Sequence, residues 1–241
     1  MDTENEVMNI PNTPFSYSAV APENLGEPEY TLVSFIRDKS GSVSPFDDEI
    51  SKALNISLDA CRKSPRSENL LVRAGAFNES LTEIHGFTEL SKLPDYRGCN
   101  CNGGTSLFDA VYSALGATVA YANKLRSMDY SVNAIIFITT DGQDNSSTFR
   151  AQEIKTLIDD LIQKEEIGSI TTVLIGVNDQ GSLSTYLTDF KNEAGLTQYV
   201  SLGDATAGKL ARLGGFISKS ISSSSQSLAS GTVVSVADLT F

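Results

Sequence analysis

The sequence contains one histidine, His85, no tryptophan and only three cysteines in 241 residues. A single histidine excludes HExxH zinc proteases, His-rich metal sites and most Ser-His-Asp triads, because each needs imidazole at a fixed place. Cys61, Cys99 and Cys101 are too few and too oddly numbered for a secreted disulfide scaffold. The first residues, MDTENEVMNI, lack a basic-then-apolar signal segment. Together these features predict a reducing, cytoplasmic setting. Positive charge is also scarce: 18 Lys and Arg face 30 Asp and Glu, a formal charge of -12 with no basic block. A nucleic-acid surface would lack the field it needs, so nucleic acid is not an expected partner. No apolar run approaches the about 18 residues of a membrane helix, so no membrane role is expected and the chain should be soluble. A protein of this mass buries about 70% of its unfolded surface, so neither disulfides nor structural metals are required.

What is present is a rhythm of strands and helices. Residues 1–28 are polar, hold Pro11, Pro14, Pro22 and Pro28, and show no sustained period, which reads as an N-terminal arm. From Tyr30, TLVSFIRD forms an apolar strand that delivers Asp38 at its carboxyl end. Ser44, Pro45 and Asp47 predict a helix start with Ser44 as N-cap, running to about Lys63 with Ile50, Leu54, Leu58 and Cys61 inward. NLLVRAGAF, ending at Phe77, predicts a second strand, and Leu81 to Phe87 a short antiparallel edge strand after the Asn78-Glu79-Ser80 turn. After a loop over 91–104, a helical period resumes at Thr105. VNAIIFITTD reads as a strand buried on both faces and ends at Asp141. A helix at Ala151 to Lys164, a strand at Ile170 to Val177, a helix at Leu183 to Glu193, a strand at Tyr199 to Leu202 and a helix at Thr206 to Ser220 continue the alternation.

The expected fold is therefore α/β: a doubly wound, mostly parallel central sheet with helices on both faces, occupying 29–220. SKSISSSSQSLASG predicts a fraying helix end and flexible linker, so 221–241 read as linker and tail. The closing GTVVSVADLTF would add an edge strand or dock on a neighbour.

Three loops fall at the carboxyl edge of such a sheet. Asp38-Lys39-Ser40-Gly41-Ser42 turns one carboxylate and two hydroxyls toward a point, Gly103-Gly104-Thr105 presents a hydroxyl at a helix start, and Thr140-Asp141-Gly142 presents a second carboxylate. Two carboxylates and three hydroxyls, with no histidine or methionine near, suit a hard cation: Mg²⁺ first, with Mn²⁺ or Ca²⁺ as alternatives. Neutral hydroxyls leave the ion electrophilic, so an open position can accept an Asp or Glu from a protein partner.

DKSGS at 38–42, GGTSLFDAV at 103–111 and TTDGQDNSS at 139–147 resemble the three loops of a von Willebrand factor A (vWA) domain with a metal-ion-dependent adhesion site. The resemblance covers about residues 30–220 and is to the stand-alone bacterial or phage-encoded members, which are intracellular. It implies that Asp38, Ser40, Ser42, Thr105 and Asp141 hold the metal directly or through water, and that a ligand glutamate or aspartate completes the shell. Asp47 and Asp48 resemble in type the acidic pair that binds an adjacent second metal in some adhesion members, but lie about two residues late; helix capping is the simpler role. Lys39, at the variable position, is expected to point away from the metal.

Other residues carry blander expectations. His85 reads as a surface or packing residue, Cys99 and Cys101 as inert thiols, Asp144 and Asn145 as a capped turn at the rim, and Ser222 to Ser225 as linker. Tyr96, Phe108 and Phe149 are candidates for an apolar rim. The leading functional expectation is a divalent-metal-dependent protein-binding module. A Mg²⁺-dependent phosphoryl-transfer or hydrolytic enzyme using Asp38 is an alternative, weakened because Ser40 stands where such phosphatases need a second aspartate. A self-associating structural or assembly component is another.

Overall fold

The structure, a computed structural model, describes residues 5–164, 169–204 and 206–230. Eight strands form one sheet: β1 (Asn5–Asn9), β2 (Ser16–Val20), β3 (Glu29–Asp38), β4 (Leu70–Phe77), β5 (Leu81–Glu89), β6 (Ser131–Thr140), β7 (Ile170–Gly176) and β8 (Gln198–Ser201), in the order β1-β2-β5-β4-β3-β6-β7-β8. β4, β3, β6, β7 and β8 run parallel, while β5 is antiparallel to β4. The helices are α1 (Asp47–Arg62), α2 (Leu107–Arg126), α3 (Ala151–Lys164), α4 (Ser182–Ala194) and α5 (Ala207–Ser230). This is the doubly wound, mostly parallel arrangement expected.

Strand periodicity divides the core. Val33 and Phe35 of β3 pack with Ile50, Leu54 and Leu58 of α1 and Leu213 and Ile217 of α5, while Ile36 faces Leu107, Val111, Ile154 and Phe190 on the other side. The central strand is thus buried on both faces, which is why it reads as an unbroken apolar run.

Residues 1–28, expected as an arm, contain the β1–β2 hairpin, which continues the sheet beyond β5. Ile10, Tyr17, Ala19 and Val20 bury against Phe87 and Tyr121. The segment hides its period because β1 is a short, half-exposed outer strand, and Pro11 and Pro14 fall in the turn between it and β2. β5 is consequently an interior strand; β1 takes the edge. Ser18 and Gly86 cross so closely that a Cβ on Gly86 would overlap the Ser18 carbonyl.

Two helix starts also differ. α1 begins at Asp47 rather than at Ser44, because Gly41–Val43 form a 3-10 turn and Ser44 continues that bend. α2 begins at Leu107, since Thr105 and Ser106 are held in loop contacts.

The serine-rich segment is helical through Ser230 instead of a flexible linker. Small serine side chains let α5 lie against the sheet, and their hydroxyls find backbone acceptors: Ser220 donates to the Phe216 carbonyl at 2.8 Å and Ser227 to that of Ser224 at 2.8 Å. Arg66 Nε donates to Ser225 Oγ at 2.8 Å, and Asn133 Nδ2 to the Ser224 carbonyl at 2.6 Å. The tail strand expected in GTVVSVADLTF lies outside the described residues. Among the described residues no helix is long and apolar enough to cross a membrane.

Candidate metal centre

β3 ends on Asp38, which is 2% exposed. Its Oδ1 accepts the Ser40 backbone N–H at 2.7 Å, an Asx-type bond that curls the loop back, and its Oδ2 accepts the Thr140 hydroxyl at 2.7 Å. Ser40 Oγ lies 3.3 Å from Ser42 Oγ, and the Ser42 hydroxyl donates to Asp141 Oδ1 at 2.8 Å. Four of the five candidate ligands therefore form one string of oxygens across the β3 and β6 loops. Thr105 stands beside the β6 loop: its Oγ1 lies 3.4 Å from the place where a Cβ on Gly142 would stand. β3 and β6 are adjacent and parallel, so their last residues emerge at one level.

The loop bearing Thr105 is held from both sides. The Asn102 N–H donates to the Lys39 carbonyl at 2.9 Å, and the Gly41 N–H to the Gly103 carbonyl at 3.3 Å. Gly103 takes φ +74°, a conformation that L side chains resist. On the far side the Thr105 N–H donates to Asn145 Oδ1 at 2.8 Å and the Asn145 N–H returns to the Thr105 carbonyl at 2.9 Å. Asp144 Oδ1 accepts the Phe108 N–H at 3.2 Å, and Asp109 Oδ1 accepts the N–H groups of Thr148 and Phe149 at 2.9 and 2.8 Å. Asn145, expected only as a rim turn, is thus the residue that locks Thr105 to the β6 loop. Sequence reasoning also passed over Thr140 and Asp109. A polar residue in the first turn of a buried helix was the available signal for Asp109.

Burial dominates the electrostatics. It raises the Asp38 carboxyl above its ordinary value against the lowering effect of the Ser40 and Thr140 hydrogen bonds. Asp141 is pushed up to about 6, first by burial and then by the charge of Asp38, against the Ser42 hydrogen bond. Among the described residues no lysine or arginine forms an ion pair with either carboxylate. Lys39 turns aside, donating to Thr82 Oγ1 at 3.0 Å. Arg37 faces the other way, toward Ser51 and the Arg97 carbonyl. Two neighbouring carboxylates without a counter-cation, ringed by hydroxyls, form a donor set that fits a hard divalent ion. Among the described residues no group of three or more His, Cys, Asp or Glu that could hold a metal gathers anywhere, so any ion here would depend on hydroxyls beside the two carboxylates.

The remaining candidates fall into supporting positions. Asp47 Oδ2 accepts the Cys99 N–H at 2.5 Å, so this acid faces the loop over 95–101. His85 is half-buried; its Nε2 meets the Tyr96 hydroxyl at 2.8 Å and its ring stacks on Tyr96. Burial pushes the imidazole below its ordinary value. Tyr96 also packs edge-on against Phe35 in the core, Phe108 stacks on Phe190, and Phe149 stacks on Tyr112.

No protein-family model matches the chain, and no curated protein matches its sequence. Solved structures do match in shape. The PilB minor pilin from Streptococcus sanguinis superposes with TM-score 0.53 at 18% identity, over 84% of this chain and 63% of that one. The pilus adhesin SpaC from Lactobacillus rhamnosus GG, in its open conformation, gives 0.56 at 11%, over 90% and 33%. Proximal thread matrix protein 1 from the mussel byssus gives 0.50 at 15%, over 80% and 46%. The fold is vWA-like. The chain spans less than two thirds of the length of these matched proteins.

The cytoplasmic location expected from the sequence is corrected by these matches, which include a pilin and a pilus adhesin rather than cytoplasmic proteins. Three unpaired thiols bear on disulfide chemistry and do not fix a compartment.

Proposed function

We propose that this chain is a protein-binding module that holds Mg²⁺, or Mn²⁺ or Ca²⁺ in its place, through Asp38, Ser40, Ser42, Thr105 and Asp141, and grips an Asp or Glu side chain of its partner. The observation that carries the reading is the pairing of a buried carboxylate, Asp38, with a half-buried one, Asp141, joined by the Ser40–Ser42 hydroxyls and without an ion-pair partner among the described residues. A bound divalent ion would supply the missing positive charge and a Lewis-acidic position open to an incoming carboxylate. The chain's own part is to hold the oxygens together, which the bonds from Thr140 and Asn145 do. The names of two structural neighbours, a minor pilin and a pilus adhesin, favour a role in protein contact, self-association included.

The test is calorimetric titration of the folded chain with Mg²⁺, beside Asp141→Asn. Uptake by the wild type that the variant loses supports the reading, and a wild type that takes up no Mg²⁺, Mn²⁺ or Ca²⁺ ends it. Capture of a partner in Mg²⁺ and its release by EDTA would then test the acidic contact.

A further inference from the structure

Arg37 and Asp38 are consecutive on β3 and point to opposite faces. Asp38 enters the oxygen cluster; Arg37 runs beneath the loop that leads to Thr105. Its Nη1 donates to Ser51 Oγ at 2.6 Å, and its Nη2 meets both the Arg97 carbonyl and Cys99 Sγ at 2.6 Å. Asp47 lies 3.8 Å from Nη1 and holds the Cys99 N–H through Oδ2. Arg37 Nε and Asp47 Oδ1 are buried without a hydrogen-bond partner, so this ion pair is incomplete and Cys99 supplies part of what it has.

Two residues on, Cys101 packs against the core on the α1 side. Burial, followed by the charge of Asp47 and then of Cys99, pushes its thiol up to about 11. Immediately beyond it, Asn102 and Gly103 are tied to Lys39 and Gly41 of the Asp38 loop. The Cys99-Asn100-Cys101 segment therefore links two clamps, one on Arg37 and Asp47 and the other on the candidate metal loop. Both thiols are free and partly exposed, whereas Cys61 is buried.

We propose that Cys99 and Cys101 form a thiol-modification site for low-molecular-weight disulfides of the glutathione type, and that its oxidation weakens the neighbouring ion site. Cys99 Sγ is partly exposed and contacts the Arg37 guanidinium, whereas Cys101 packs against the core, so Cys99 is the attacking group. The Cys99 thiolate attacks one sulfur of glutathione disulfide, forming a mixed disulfide and releasing a glutathione thiolate, which takes up the proton Cys99 had given up. The Cys101 thiol then loses its proton and attacks the Cys99 sulfur, and the second glutathione leaves with that proton. Two protein thiols are oxidised to one disulfide, and one small disulfide is reduced to two thiols. Bringing the two Cβ atoms to disulfide distance draws the Cys99 sulfur off Arg37 and strains the tie between Asn102 and Lys39. The loop that positions Thr105 moves with it. The thiol chemistry stands on these contacts alone, while its effect on the ion rests on the metal reading above.

Reduced full-length chain is incubated with glutathione disulfide, digested with trypsin and weighed. The peptide Gly98 to Lys124 should lose two hydrogens while Cys61 stays reduced. Cys101→Ser should stop at the glutathione adduct on Cys99, and Arg37→Lys should slow adduct formation while the chain stays folded by circular dichroism. Calorimetry should show Mg²⁺ affinity falling about tenfold on oxidation, as when an outer support of a metal site is lost, and returning with reductant. Cys61 reacting as fast as Cys99, or no internal disulfide, overturns the site. A disulfide that leaves Mg²⁺ affinity unchanged overturns the coupling. A reduced chain that takes up no Mg²⁺ overturns the metal reading and the coupling with it, and leaves the disulfide to be judged by mass.

Discussion

The Ser42 hydroxyl donates to the Asp141 carboxylate at 2.8 Å across 99 positions of sequence. That bond joins the loop after β3 to the loop after β6 and brings the charge of Asp141 within reach of Asp38. The stability and the binding properties of the site both depend on how those two charges are managed.

Neutralising one carboxylate should separate folding from binding. Asp141→Asn removes a charge that burial and Asp38 both oppose, so without metal the variant should be as stable as the wild type or more stable by about 1 kcal/mol. Its Mg²⁺ uptake should be lost. Urea melts with and without Mg²⁺ check both, and a variant stabilised by Mg²⁺ as much as the wild type contradicts the assignment.

The pH dependence follows from the same burial. Because the folded-state value of Asp141 is raised from 3.8 to about 6, the folded chain favours the protonated acid. That contribution is complete below the ordinary carboxylate range and is lost as pH rises through about 6. Metal-free protein should therefore lose stability from this group between about pH 4 and about pH 6, and Mg²⁺ should restore it at about pH 7 far more than at about pH 5, where protons compete. Thermal melts at the two pH values with and without Mg²⁺ read the difference.

Asn145 should act as a positioning residue. Asn145→Ala removes the acceptor of the Thr105 N–H, which should cost about 1 kcal/mol of stability and lower Mg²⁺ affinity about tenfold. Asn145→Asp retains an oxygen acceptor and should recover most of the loss. Equal affinity in the alanine variant and the wild type would show that Thr105 is placed without it.

The hairpin of β1 and β2 depends on a missing side chain. Gly86→Ala would force a Cβ into the Ser18 backbone, so β2 must shift, at a cost of about 1–3 kcal/mol. Hydrogen exchange should accelerate over residues 5–20 while β3 and β6 stay protected. Uniform protection across the sheet would contradict this.

Much of the sheet was legible because β3, β4 and β6 are long apolar runs, and burial on both faces leaves no other reading for them. The candidate ligands were legible because Asp38 and Asp141 stand at the ends of such runs. The hairpin was not: its apolar positions are few, and their burial depends on Phe87 and Tyr121, far along the chain. The serines of α5 misled for a related reason, since serine is neutral toward helix locally and becomes helical here by packing against Asn133 and Arg66.

Local sequence determined which residues form strands and helices and which oxygen-bearing side chains stand at their ends, because periodicity and turn chemistry act over a few residues. Only the tertiary structure decided that Asn145 grips Thr105, that Thr140 serves Asp38, and that Arg37 passes beneath the site to Cys99. Those relations join side chains whose nearness follows from the order of strands in the sheet, a property no short stretch of sequence contains.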